Sequence, residues 1–406
     1  MPVTGTCDRS FGQVREAFSA NFAQRAEIGA AVCVIAQGRV VADLRGGWAG
    51  PAGSRPWEQN TLVNVFSVGK GMVAACAARL CSQGRLEIDA PVSRYWPEFA
   101  AAGKAAVTVG QLLSHQAGLP AVRRRLPPGG MLDHGLMCAA LAQQAPWWEP
   151  GTAHGYHVNT FGFLAGELVR RAAGQTLGTM LRQDVAGPLG ADVHIGLPGT
   201  EHRRVAEFLW PGPAPPEAEP GALSGSDLSA AADLGGRAGG DGIEPGEVAA
   251  SQLMEYNAYF NPSGLSGAGV VNSAEWRRAE IPSANCHASA RGVARVYAAL
   301  AGWGHLDGVR IADRAILERF TAEWSCGADL VLHRPSRFGL GFQLTQPERP
   351  LGPGAGGYGH FGAGGSLGFC DPDAGIAFGY VTNSMGPRWQ NPRNRALIDA
   401  VYASLG

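Results

Sequence analysis

Strand-like patterning is concentrated at the two ends of this chain, and any fold it adopts has to bring those ends together. Near the start, "GAAVCVIAQGRVVADLRGGW" reads as two strands around a turn at Gln37-Gly38. Near the end, "GGSLGFCDP" and "GIAFGYVTN" read as two more. Helical spacing dominates between them. "SVGKGMVAACAARLCSQGRL", from Ser67 to about Leu86, is Ala-rich with a glycine near its end, the pattern of a largely buried helix. "TFGFLAGELVRRAAG" at 160–174 is a second helix, and others are expected over 11–28, 289–302, 313–323 and 393–405. The expectation is an α+β fold: an antiparallel sheet flanked by helices and built from both chain ends, with a mainly helical lobe inserted. Its boundaries read as 1–66 and 255–406 for the sheet domain and 67–210 for the helical lobe. Residues 211–254 form a Pro/Gly-rich excursion, in which Pro, Gly, Ala and acidic residues dominate from 211 to 245.

The chain has 406 residues, 45% of them hydrophobic, which is ample for a large core. Its net charge of −1 provides no general attraction to nucleic acid or to an anionic membrane. "RRR" at Arg123–Arg125 reads as a solvated loop. The N-terminus lacks a charged start followed by an apolar run, and no stretch is long and apolar enough to span a bilayer. The eight cysteines include no CxxC pair and read as reduced, mostly buried thiols. A cytoplasmic location is expected. No internal repeat of fixed period is apparent.

All but two of the 33 basic residues are arginine; the lysines are Lys70 and Lys104. Lys70 lies three residues after Ser67 in "VFSVGKGMV". On a helix, positions i and i+3 share a face, so an amine there reaches the serine oxygen. A serine hydroxyl is a poor nucleophile until a base takes its proton. Burial lowers a lysine pKa and makes a neutral, basic amine available, whereas a guanidinium stays charged. The S-x-x-K spacing also arises by chance, so the surrounding residues decide.

Those residues carry a resemblance. "FSVGK", "VGQLLSHQAGLP" at 109–120, "PGTAHGYHVNTFGFLAGEL" at 150–168 and "GHFGAGGSLGF" at 359–369 occur in the order seen in the serine β-lactamase and penicillin-binding-protein superfamily. Within it the chain looks most like the esterase-type members, the family VIII carboxylesterases, from about residue 10 onward. The resemblance implies a β-lactamase/transpeptidase-like fold. It also implies that Ser67 is the acylated nucleophile, Lys70 its base, and Tyr156 the residue that shuttles a proton to and from the leaving group. His360, Phe361 and Gly362 occupy the third-motif position and flank the substrate. The N–H groups of Ser67 and Ala363 then form the oxyanion hole. The implied substrate is a small or medium ester, hydrolysed without metal or cofactor. Transfer of the acyl group to an alcohol or amine, weak β-lactam hydrolysis and D-amino-acid peptidase activity are the alternatives; a non-catalytic sensor on this scaffold is disfavoured by the presence of Ser67, Lys70 and Tyr156 together.

Two departures from the family pattern bear on the substrate. Val158 stands two residues after Tyr156, where penicillin-interacting members have asparagine, and Asn159 comes one later. His360 stands where they have the lysine of Lys-Thr-Gly. Both changes remove polar groups that bind β-lactams and peptidyl substrates, which favours less charged acyl groups.

Other readings fail on the residues. "GGSLG" at Gly364–Gly368 fits the nucleophile-elbow pattern, but no histidine follows Ser366 and no helix pattern comes after it. The ten histidines show no HExxH-type spacing. His154 and His157 form a possible i, i+3 pair, for which surface or hydrogen-bonding roles are the simpler reading. "GAGGYGHFGAGG" lacks the strand–helix context of a phosphate loop.

Overall fold

The computed structural model describes residues 3–210, 250–263 and 270–406. The Pro/Gly-rich stretch at 211–245 lies outside them. Nine strands form one antiparallel sheet, in the order Thr4–Cys7, Arg39–Gly47, Gly29–Ala36, Ile376–Thr382, Leu367–Asp371, Tyr358–Phe361, Gln343–Leu344, Pro335–Phe338, Ser325–Ala328. The ends of the chain meet where Gly29–Ala36 pairs with Ile376–Thr382, in a register that sets Ala36 opposite Ile376 and Ala30 opposite Thr382. The N-terminal hairpin turns through Gln37 and Gly38, both at positive φ (49° and 76°), the backbone of the tight turns that suit a twisted hairpin.

Helices cover both faces of the sheet. Val32, Val34, Phe369, Phe378 and Tyr380 pack with Val14 and Phe18 of the helix Gly12–Gln24 and with Leu397 and Val401 of the helix Pro392–Ala403. The alternate residues Cys33, Ile35, Cys370, Ala377 and Val381 join the main core with Val293 and Tyr297 of the helix Ala290–Ala301. With both faces buried, the central strands read as continuous apolar runs rather than as an apolar–polar alternation. Gly379 lets the helix lie on the strand: a Cβ there would stand 2.2 Å from the Ala290 carbonyl oxygen.

The helix Val68–Ser82 is buried over almost its whole length. It lies in the main core with the helix Thr160–Ala173. A small sheet of Val63–Asn64, Val193–His194 and His287–Ala288 delivers the chain to its N-terminus, where the Val65 N–H donates to the Cys286 carbonyl at 2.8 Å. No described helix is long and apolar enough to cross a membrane.

Candidate active site

Ser67 caps the N-terminus of the helix Val68–Ser82. The residue before it, Phe66, has φ +48°, a conformation that bulky side chains rarely adopt. Edge-on packing of Phe66 against Phe208, with ring centroids 4.9 Å apart, helps to hold this backbone. One helical turn on, Lys70 is fully buried, with its nitrogen 3.0 Å from Ser67 Oγ. It also contacts the carbonyl oxygens of Val158 at 2.6 Å and Ser283 at 3.4 Å. Ser67 Oγ reaches the same Ser283 carbonyl at 3.3 Å. Desolvation holds the Lys70 pKa well below its ordinary value, so the amine favours its neutral form.

Tyr156 closes the cluster. The Lys70 nitrogen sits 4.7 Å from the centroid of its ring. The ring is parallel to Phe338 at 5.9 Å and edge-on to Trp389 at 5.2 Å. Burial raises the pKa of its phenol well above the ordinary range, and the nearby Ser67 hydroxyl pulls it back in part. Among the described residues the buried phenol has no hydrogen-bond partner.

The third-motif residues lie alongside. His360 is buried on the strand Tyr358–Phe361, its ring 5.9 Å from that of Tyr156. Its Nδ1 pairs with the Phe361 carbonyl at 2.8 Å. Burial, and then the nearby Lys70 amine, lower its pKa to about 3, so at neutral pH it carries no charge. Phe361 is buried in the same apolar cluster as Tyr156 and Trp389. Gly362 presses on the approach to Ser67: a Cβ there would stand 2.2 Å from the Val65 carbonyl oxygen and 3.4 Å from Val68 Cγ2. Ala363 follows in a short turn. Among the described residues, neither the Ser67 N–H nor the Ala363 N–H donates to any protein group.

Several residues that shape this site were not singled out from the sequence. Asp329 accepts the Tyr156 N–H on both oxygens, at 3.0 and 3.1 Å, and also binds the N–H groups of Val331 and Leu332 and the Ser336 hydroxyl. His115, at φ +64°, packs its ring 5.2 Å from that of Tyr156 and accepts the His157 N–H on Nδ1 at 3.1 Å. Ser283 contributes its carbonyl to Lys70 and accepts the Gly162 N–H on Oγ. His154 and His157 both have hydrogen-bonding roles and both are buried. His154 pairs with Ser336 Oγ, and His157 bridges the Gly155 carbonyl and the Leu119 N–H.

Ser366 is buried, and its hydroxyl accepts the Thr382 N–H; it is followed by the strand Leu367–Asp371 rather than by the helix of an elbow. A cluster of His134, Cys138 and Glu167 has its ligand atoms within 4.8 Å of one another. Glu167 is already engaged there by Arg170 at 2.6 Å and Arg171 at 2.7 Å. A metal ion would have to displace two guanidinium groups, so the donor set does not fit one.

Residues 14–403 match the Beta-lactamase family model. The chain is 34% identical to the esterase/beta-lactamase LipL of Mycobacterium tuberculosis, over 94% of this chain and 83% of that one. The fold is shared, at a TM-score of 0.87 and 38% identity, with a family VIII carboxylesterase, and at 0.86 and 41% with a penicillin-binding protein homolog from Caulobacter crescentus; both likenesses cover the whole of each chain. The chain belongs to the Beta-lactamase family and is a serine hydrolase of that class.

Proposed function

We propose that this protein is a carboxylesterase that forms an acyl-enzyme on Ser67. The observation that carries this reading is the fully buried Lys70 amine, 3.0 Å from Ser67 Oγ. A neutral amine has two N–H groups and one lone pair. Donation to the carbonyls of Val158 and Ser283 uses both N–H groups and turns the lone pair toward the Ser67 proton. Lys70 then takes that proton as Ser67 Oγ bonds to the ester carbonyl carbon. The Ser67 and Ala363 N–H groups receive the negative charge that develops on the carbonyl oxygen. The Tyr156 phenol, protonated because it is buried, gives its proton to the departing alkoxide and regains one from Lys70. Water attacks the acyl-enzyme by the reverse relay and releases the acid.

A neutral His360 and the apolar walls of Phe361, Tyr156 and Trp389 suit acyl groups without a carboxylate. The eight free cysteines fit a reducing compartment, and we place the protein in the cytoplasm.

Intact-mass measurement with a fluorophosphonate tests the reading. One adduct is expected on the wild-type chain and none on Ser67→Ala. An adduct that survives Ser67→Ala overturns it. A series of p-nitrophenyl esters of increasing chain length, with and without added alcohol, then defines the acyl group and the acceptor.

A further inference from the structure

The proposed oxyanion hole depends on the direction of one N–H, that of Ala363, which lies in a glycine turn with little rigidity of its own. A trans peptide fixes its C=O and N–H on opposite sides of one plane. The Ala363 N–H is therefore aimed by whatever holds the Gly362 carbonyl, and that carbonyl accepts the Gly365 N–H at 3.2 Å. Gly364 and Gly365 are both at positive φ, 82° and 110°.

Behind this turn lies a buried polar network that the reaction does not use directly. The Gly364 carbonyl accepts from the Gly386 N–H at 3.1 Å, Asn391 Nδ2 at 3.3 Å and Arg393 Nη2 at 3.2 Å. The Gly365 carbonyl accepts from Asn394 Nδ2 at 2.9 Å, and the same amide donates to the Trp389 carbonyl at 2.7 Å. Arg393 also binds the Ser384 carbonyl at 3.0 Å, and its charge is met by Glu27 at 3.0 Å. Glu27 in turn accepts the Tyr380 and Thr382 hydroxyls. The Glu27 side chain is 0% exposed and that of Arg393 5%. Apolar residues of similar size commonly hold such a place at no loss of stability, so stability alone does not account for a charge pair here.

We infer that Arg393, anchored by Glu27 and assisted by Asn391 and Asn394, is a positioning residue that sets the direction of the Ala363 N–H and hence the strength of the oxyanion hole. Its reach extends to Trp389, whose ring stands against Tyr156. The inference rests on the acyl-Ser67 reading.

The test compares Arg393→Gln and Asn394→Ala with the wild type on p-nitrophenyl butyrate, with kcat expressed per active site titrated to completion with a fluorophosphonate. Deleting one oxyanion donor outright lowers kcat by about 10²- to 10³-fold, and a misdirected one should lower it by about 10- to 100-fold. KM should stay unchanged, and affinity for an alkylboronic acid, which mimics the tetrahedral intermediate, should weaken by a similar factor. Arg393→Gln leaves Glu27 without its cation and is the variant at risk of misfolding; Asn394→Ala leaves that ion pair intact and keeps the test decisive. A folded Asn394→Ala with normal kcat per titrated site and normal boronate affinity overturns the inference, even if its melting temperature falls. Absence of a fluorophosphonate adduct on Ser67 of the wild type removes the underlying reading instead.

Discussion

Lys70 makes its shortest hydrogen bond, 2.6 Å, to the backbone carbonyl of Val158 rather than to the serine beside it. A main-chain carbonyl is present whatever side chain occupies the position. The amine can therefore be oriented with valine where penicillin-interacting relatives have asparagine, and the departure in the second motif leaves Lys70 fully coordinated.

It follows that Lys70→Arg should be nearly as damaging as Lys70→Ala, although it keeps a positive charge. Loss of general-base assistance should lower kcat by about 10²- to 10⁴-fold in both. The measurement is kcat on one activated ester, with folding followed by thermal melts. Retention of most activity by Lys70→Arg would reduce Lys70 to a charge.

The same burial makes a prediction about stability. The Lys70 pKa lies well below 10.5 in the folded chain. Between that lowered value and 10.5 the unfolded chain binds a proton that the folded chain has released, so this group's contribution to stability rises with pH across the window. Lys70→Met has no such titration. Its stability relative to wild type should improve as pH falls from about 10 to about 8, by up to about 1.4 kcal/mol per pH unit. Urea denaturation at several pH values reads the difference. A difference independent of pH would mean that the folded enzyme holds a charged amine.

Because the His360 pKa is about 3, protonation does not turn it into a substitute for the third-motif lysine at working pH. Short acyl esters should be hydrolysed faster than nitrocefin, and lowering the pH from about 8 to about 6 should not shift the ratio toward nitrocefin. The comparison is kcat/KM for p-nitrophenyl butyrate and nitrocefin at each pH. Equal or faster nitrocefin turnover contradicts it.

Gly362→Ala should push the third-motif strand away from Ser67, since the new methyl group meets the Val65 carbonyl oxygen at 2.2 Å. Overpacking of this kind destabilises by about 1–3 kcal/mol. The loss of kcat should be about 10²-fold or more, as for a lost oxyanion donor. Urea titration and kcat on the folded fraction separate the two effects.

What the sequence revealed and what it concealed have physical causes. The hairpin at Gln37-Gly38 and the Ser67–Lys70 pair were legible because both depend on local spacing. Tyr156 was legible only through the order of motifs, since a lone tyrosine has no spacing rule. The Ser283 contact was hidden twice over. It lies 216 residues from Ser67, and it supplies a carbonyl, which every residue possesses. The Glu27–Arg393 pair spans 366 residues, and no periodicity links an acid before one strand to an arginine in the last described helix. Lys104 shows the limit of composition as a guide. It is buried too, and donates to the carbonyls of Ala101, Ala142 and Gln144, but no serine oxygen is among its partners.

The pairing of Gly29–Ala36 with Ile376–Thr382 has a consequence for how this enzyme is made. A ribosome that has released Ser67, Lys70 and Tyr156 has not yet translated the strand Ile376–Thr382 that completes the centre of the main sheet. Throughout that interval the apolar strand Gly29–Ala36 lacks its native neighbour on one edge, a template for mispairing between nascent chains. Domain-by-domain maturation during synthesis is closed to such a topology. Activity should appear all at once, only after the last strand emerges, and the yield of active enzyme should depend on how well the growing chain is shielded until then.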